Sequence, residues 1–169
     1  MAKFCMAMIV TGFVLACVVP AMGADPEEGQ HYRIKNVGSG EVLSVSGRGK
    51  EEGAEIVQVP QAPSELQQWK FVKVGDYYKI VNRRTGKALN VRSESLEEDA
   101  PIIQWDASVD NENQQWSLLK VGDHFKFKAR HSGMVMQVRN DGEFTVCQSR
   151  LRQDNRNQVF ELIPTRDRN

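Results

Sequence analysis

An excess of charge of either sign is missing from this chain: its 169 residues carry 22 Lys and Arg against 22 Asp and Glu. A balanced chain lacks the field of a dedicated phosphate or membrane-surface binder, so no nucleic-acid partner is expected. Cysteine is scarce too, at three residues. Cys5 and Cys17 fall in an apolar leading stretch. That leaves Cys147, and one cysteine cannot close an intrachain disulfide. It ends the apolar stretch Phe144 to Cys147 and reads as a small buried hydrophobe, not a reactive thiol. His31, His124 and His131 are scattered, with no cysteine pair beside them, so no zinc site or other cofactor is expected. Nothing resembles a phosphate loop or a nucleophile elbow. The carboxylate runs Glu51-Glu52 and Glu97-Glu98-Asp99 read as solvated surface. A general-acid pair needs two environments that push its pKa values apart, which adjacent loop residues do not supply. Sustained helical periodicity is absent, and Glu94 to Asp99 reads as an acidic loop. An enzyme is not expected.

A long apolar run does occur, once. Lys3 precedes Phe4 to Val19, Pro20 breaks the run, and Ala21-Met22-Gly23-Ala24 offers the small residues that a signal peptidase reads. The run is short for a bilayer span. Residues 1–24 are therefore expected to be a secretory signal. The mature domain is then 25–169, secreted or exported, with no membrane span. The competing reading is a lipid anchor at Cys17, against which Val18 and Val19 continue the apolar run.

Self-similarity dominates the rest. Tyr32-Arg33-Ile34-Lys35-Asn36 leads through Ser39-Gly40 to Leu43-Ser44-Val45. The pattern returns from Tyr78 through Thr85-Gly86 to Leu89-Asn90-Val91, and from Phe125 through Ser132-Gly133 to Met136-Gln137-Val138. Starts at 32, 78 and 125 give offsets of 46 and 47 residues without a gap. The apolar pairs Ile56-Val57, Ile102-Ile103 and Thr145-Val146 follow. Each unit closes on Gln67-Gln68-Trp69, Gln114-Gln115-Trp116 or Gln158-Val159-Phe160. The repeats are placed at about 29–74, 75–121 and 122–163.

Within each copy the alternation of Tyr32, Ile34 and Asn36 with Arg33 and Lys35 is the period of a half-buried strand. The Ser/Thr-Gly dipeptides are turns. His31, Tyr77 and His124 hold equivalent strand-start positions. Four short strands per unit predict about twelve in all. One unit alone would expose edges and an apolar face. Three can close a barrel and remove the edges, giving an all-β trefoil of pseudo-symmetric repeats. Leu43, Leu89 and Met136 should meet near the axis with Val45, Val91 and Val138, and Trp69, Trp116 and Phe160 should be core anchors.

The joint pattern of repeat number, period, Ser/Thr-Gly turn and terminal Gln-x-Trp/Phe resembles the ricin B-type lectin domain, a sugar-binding β-trefoil. The resemblance implies up to one shallow sugar pocket per repeat. Each pocket would hold an aspartate at the end of the second strand, a platform after the third, and an asparagine before the final glutamine. A carboxylate clasps two sugar hydroxyls, an amide donates and accepts, and a ring covers the sugar's C–H face. Here the aspartate position holds Ser44, Asn90 and Gln137, and the asparagine position Leu66, Asn113 and Asn157. The first repeat therefore reads as structural. The second is the best candidate, through Asn90, Gln104, Trp105, Asp106, Asn113 and Gln114. The third contributes more weakly through Gln137, Asn157 and Gln158.

The resulting expectation is a secreted module that binds a carbohydrate or glycoconjugate weakly, mainly through its second repeat. The alternative is a degenerate trefoil with a structural role or an unidentified protein partner. A lectin needs Asn90 and Asn113 convergent, exposed and near an aromatic face; an interaction module would show an exposed apolar patch instead. Arg83, Arg84, Lys87 and Arg92, with Arg150, Arg152, Arg156, Arg166 and Arg168, could line a surface that meets acidic glycans.

Overall fold

The computed structural model describes residues 24–49, 51–139, 142 and 145–166. The expected leader with Cys5 and Cys17, and Phe144 of the third repeat, lie outside the described residues. Twelve strands are present among those described, four to a repeat. The first set is β1 (His31–Asn36), β2 (Val42–Val45), β3 (Ile56–Val59) and β4 (Trp69–Val74). The second is β5 (Tyr77–Asn82), β6 (Ala88–Val91), β7 (Ile102–Trp105) and β8 (Trp116–Val121). The third is β9 (His124–Ala129), β10 (Val135–Val138), β11 (Val146–Ser149) and β12 (Phe160–Pro164).

Pairing closes the outer strands on themselves: β1 joins β4, then β5, β8, β9 and β12 in order, and β12 returns to β1. A closed ring leaves no open edge among these six strands. The hairpins β2–β3, β6–β7 and β10–β11 cap one end. They touch through single bridges at Glu55–Ile103, Val57–Thr145 and Pro101–Cys147. This is the expected β-trefoil.

Inside, Leu43, Leu89 and Met136 are fully buried, as are Trp69, Trp116 and Phe160. Each such side chain stabilises the fold by about 1.5–3 kcal/mol through area removed from water. A buried indole must also place its N–H. Trp69 Nε1 donates to the Leu43 carbonyl at 3.1 Å, and Trp116 Nε1 to the Leu89 carbonyl at 3.3 Å. Phe160 has no such donor and packs on Phe127, ring centroids 5.3 Å apart.

The repeats are also tied by buried asparagines. Asn36 Oδ1 accepts from the Gly38 and Ser39 amides, while its Nδ2 donates to the carbonyls of Asn157 and Val159. Asn82 does the same with Arg84 and Thr85, and with Leu66 and Gln68. One amide thus shapes a turn and clamps the preceding copy. The turn closes at Gly40 and Gly86, whose φ of 79° and 70° lies in the left-handed region that glycine enters without penalty.

One expectation is corrected and one feature is added. Val45 lies opposite Ile56, Val91 opposite Ile102, and Val138 opposite Val146. The third copy's equivalent pair is therefore Val146-Cys147, with Val146 facing the core, not Thr145-Val146. Its connection is shorter, 139–145 against 46–55 and 92–101, so matching by apolar character slips one residue and swaps the faces. Cys147 is buried there, and desolvation raises its thiol pKa. Second, a 3₁₀ turn precedes the closing strand of each repeat, at Glu65–Gln67, Glu112–Gln114 and Arg156–Gln158. Three residues are too few to leave a periodic signal.

Candidate functional site

The β6–β7 hairpin and the turn Glu112–Gln114 bring three amide side chains together. Asn113 Nδ2 donates to Asn90 Oδ1 and to the Val91 carbonyl, both at 3.0 Å. Gln114 Nε2 donates to Asn90 Oδ1 at 3.2 Å and to the Asp106 carbonyl at 2.9 Å. Asn90 Nδ2 donates to the Val91 carbonyl at 2.9 Å. Asn90 Oδ1 thus already accepts two hydrogen bonds, which exhausts an amide oxygen. Asn113 Oδ1 accepts none among the described residues. An unsatisfied buried acceptor costs about 1–3 kcal/mol, so this oxygen gains from any donor that reaches it.

Asn90 and Asn113 form the floor of a cleft of about 550 Å³, walled by Trp105, Arg92, Glu94 and Asn111. Trp105 ends β7 and is 41% exposed. Gly53, from the first repeat's loop, lies beneath the indole: a Cβ there would sit 3.7 Å from Trp105 Cζ3. Gly53 N donates to the Gln104 carbonyl and Gln104 N to the Ala54 carbonyl, so one repeat's loop shapes the next repeat's cleft. On the rim, Arg92 pairs with Glu55 at 3.1 Å. Ser93 and Glu94 there hold left-handed backbone, φ 54° and 52°, which costs a non-glycine residue on the order of 1–2 kcal/mol.

Of the residues expected from sequence, Asn90, Trp105 and Asn113 line the cleft. Asn90 and Asn113 converge beside the Trp105 indole. The two asparagines are not exposed: at 5% and 4% they are a recessed floor. Gln114 is buried beneath, positioning Asn90. Gln104 is fully buried and turned away, its Nε2 donating to the carbonyls of Gly49 and Glu51. Asp106 is not among the lining residues, and its carboxylate binds the Lys87 ammonium. That contact, first among the causes, raises the Lys87 pKa and lowers that of Asp106.

The other repeats differ. In the first, the Leu66 side chain packs against Gly49: a Cβ at Gly49 would lie 2.5 Å from Leu66 Cδ2. Ser44 Oγ donates to its neighbour's carbonyl, and Gln67 serves the Pro60 and Ala62 backbone. In the third, Gln137 Oε1 accepts from Asn155 Nδ2 at 2.9 Å and Gln158 Nε2 at 3.0 Å. Asn157 instead lies over Gly38, where an added Cβ would come 2.2 Å from its Oδ1. Asn155 therefore holds the place expected for Asn157. Sequence reasoning missed Asn111, the residue before the turn, although Ser64 and Asn155 cap the equivalent turns and extending the repeat alignment would have found it. Gly53 was out of reach, because it enters from another repeat.

Comparison with known proteins places the fold. The profile of the family "ricin-type beta-trefoil lectin domain-like" matches residues 18–105. The designed three-fold symmetric protein ThreeFoil is 35% identical, over 79% of this chain and 97% of its own, at a TM-score of 0.74. An exo-β-1,3-galactanase from Clostridium thermocellum is 34% identical over 83% of this chain, TM-score 0.75, and the match spans 31% of that enzyme. The Polyporus squamosus lectin, solved with a Neu5Acα2-6Galβ1-4GlcNAc epitope, shares the fold at 20% identity and a TM-score of 0.69, covering 78% of this chain and 48% of its own. No curated protein sequence matches.

Proposed function

This chain belongs to the ricin-type β-trefoil lectin domain-like family, and from that premise we propose that it is a secreted carbohydrate-binding module working mainly through its second repeat. The observation that carries the reading is the recessed Asn113 Oδ1, a buried acceptor without a partner, in the same cleft as the half-exposed Trp105. A pyranose offers both complements: hydroxyl donors for the amide oxygen and a C–H face for the indole.

The roles differ from those of an aspartate-based pocket. With Asn90 Oδ1 occupied by Asn113 and Gln114, the free acceptor is one position along the floor. It is neutral, so the hydrogen bond is not charge-assisted and each contact is weak. Useful retention then comes from multivalent or polymeric glycans. Catalysis has no part in this reading: the domain recognises or tethers. The route to the cell exterior is the leader read at residues 1–24. Trp105 stands half-exposed over a polar floor, an arrangement that suits a sugar better than an apolar protein patch.

The test is a glycan-array screen of the folded chain beside Trp105→Ala, whose exposed ring can be removed without opening the core. Binding lost in the variant supports the cleft. Silence from concentrated, folded protein across neutral and charged glycans contradicts it.

A further inference from the structure

On the far side of the first repeat's loop lies a second depression, of about 300 Å³, lined by Arg48, Gly49, Arg84, Thr85 and Lys87. Three of these five are cations and none is a carboxylate. Arg48 is exposed and pairs with no carboxylate among the described residues. Arg84 is 67% exposed along its side chain and meets Glu65 only at 3.9 Å. Lys87 is held in place between Glu52 and Asp106. The notch is thus fixed on one wall by an anchored ammonium and open on the other to two guanidinium groups.

Its position relative to the cleft matters. Gln104 Nε2 pins the carbonyls of Gly49 and Glu51, and that loop is the septum: Gly49 faces the notch, Gly53 faces the cleft beneath Trp105. In the first repeat Leu66 fills the space beside Gly49 where a polar floor would stand. The lost neutral pocket is bordered by a charged one.

We propose that this notch is an anion subsite, taking the sulfate or carboxylate substituent of a saccharide whose uncharged part rests against Trp105; this rests on the carbohydrate reading of the cleft. Guanidinium forks match both oxyanions geometrically, and their hydrogen bonds to them are charge-assisted. A nucleic acid fits less well. Its phosphates repeat along a backbone and call for an extended basic stripe, whereas this chain is balanced overall and concentrates three cations in one notch.

The experiment compares matched oligosaccharides, each neutral member beside its sulfated and its uronate counterpart, on the full chain and on R48A/R84A and Trp105→Ala. Both arginines are exposed, so their removal leaves the core intact. The expected result is an acidic preference of about ten-fold or more, weakened by salt and abolished in R48A/R84A while the neutral glycan still binds. The sulfate and uronate arms show which oxyanion the notch takes. Equal binding of acidic and neutral members, or a preference that survives R48A/R84A, overturns the subsite and leaves the cleft reading standing. Acidic binding unaffected by Trp105→Ala overturns the cleft and its link to the notch. A single-stranded oligonucleotide held as tightly as the acidic glycan overturns the saccharide assignment, and no binding to any probe overturns both.

Discussion

The first and second repeats share a scaffold and differ in their floors. Both close on a tryptophan whose indole binds the second strand's carbonyl, and both carry an asparagine that shapes the turn and clamps a neighbour. At the two polar floor positions, however, Ser44 and Leu66 face Asn90 and Asn113. The following loops diverge in the same sense. Where the first repeat has Gly47 and Gly53 at φ 62° and 77°, the second has Ser93 and Asp99 at 54° and 65°. Stability resides in the anchors, so the floor is free to vary. Among the described residues, the second repeat combines the unpaired Asn113 Oδ1 in a cleft floor with a rim held in costly backbone.

Replacing the anchors tests the shared part. Trp69→Ala and Trp116→Ala should each lose about 3–5 kcal/mol in denaturant unfolding. Costs that differ by more than half would show the scaffolds are not equivalent. Asn113→Leu gives the second repeat the first repeat's residue. Gln114 still serves Asn90, so unfolding stability should fall by about 1–2 kcal/mol or less, while glycan retention drops about ten-fold or more. Retained binding would mean that the floor does not distinguish the repeats.

Acid provides a third contrast. Glu98 accepts from Ser149 Oγ at 2.7 Å, then from the Arg150 amide, with Arg152 and Arg150 beside it, and these hold its carboxyl below the ordinary range. A depressed folded pKa contributes stability above the ordinary glutamate value, lost as pH falls from there through the folded value. Glu98→Gln should therefore flatten the acid limb of a stability–pH profile. Its counterpart in the first repeat, Glu52, meets Lys87 instead. The smallest effect is expected at the rim: Ser93→Gly should stabilise by about 0.5–1 kcal/mol and the mirror change Gly47→Ser should destabilise, read from thermal midpoints.

Much of this was legible in sequence because the repeat is gapless where strands pair. Trp69, Trp116 and Phe160, and the Leu43, Leu89 and Met136 layer, follow from period alone. The slip at Thr145-Val146 arose where a shorter connection broke the period. Gln104 and Asp106 flank Trp105 in sequence, yet strand alternation buries one and a lysine from β5–β6 engages the other. Asn157 was displaced by Asn155, since which residue of a 3₁₀ turn points inward is set by φ and ψ, not spacing. Gly53 and the notch at Arg48 arise between repeats, where a one-repeat pattern carries no information.

The central claim is that the second repeat carries most of the binding. Side-chain NMR during titration with a neutral glycan tests it most directly, following the Trp105 indole N–H, the amides of Asn90 and Asn113, and the Leu66 methyls in one sample. The account predicts shifts at Trp105 and Asn113 with Leu66 unmoved. Shifts centred on Leu66 or Gln137, with Trp105 silent, would contradict it.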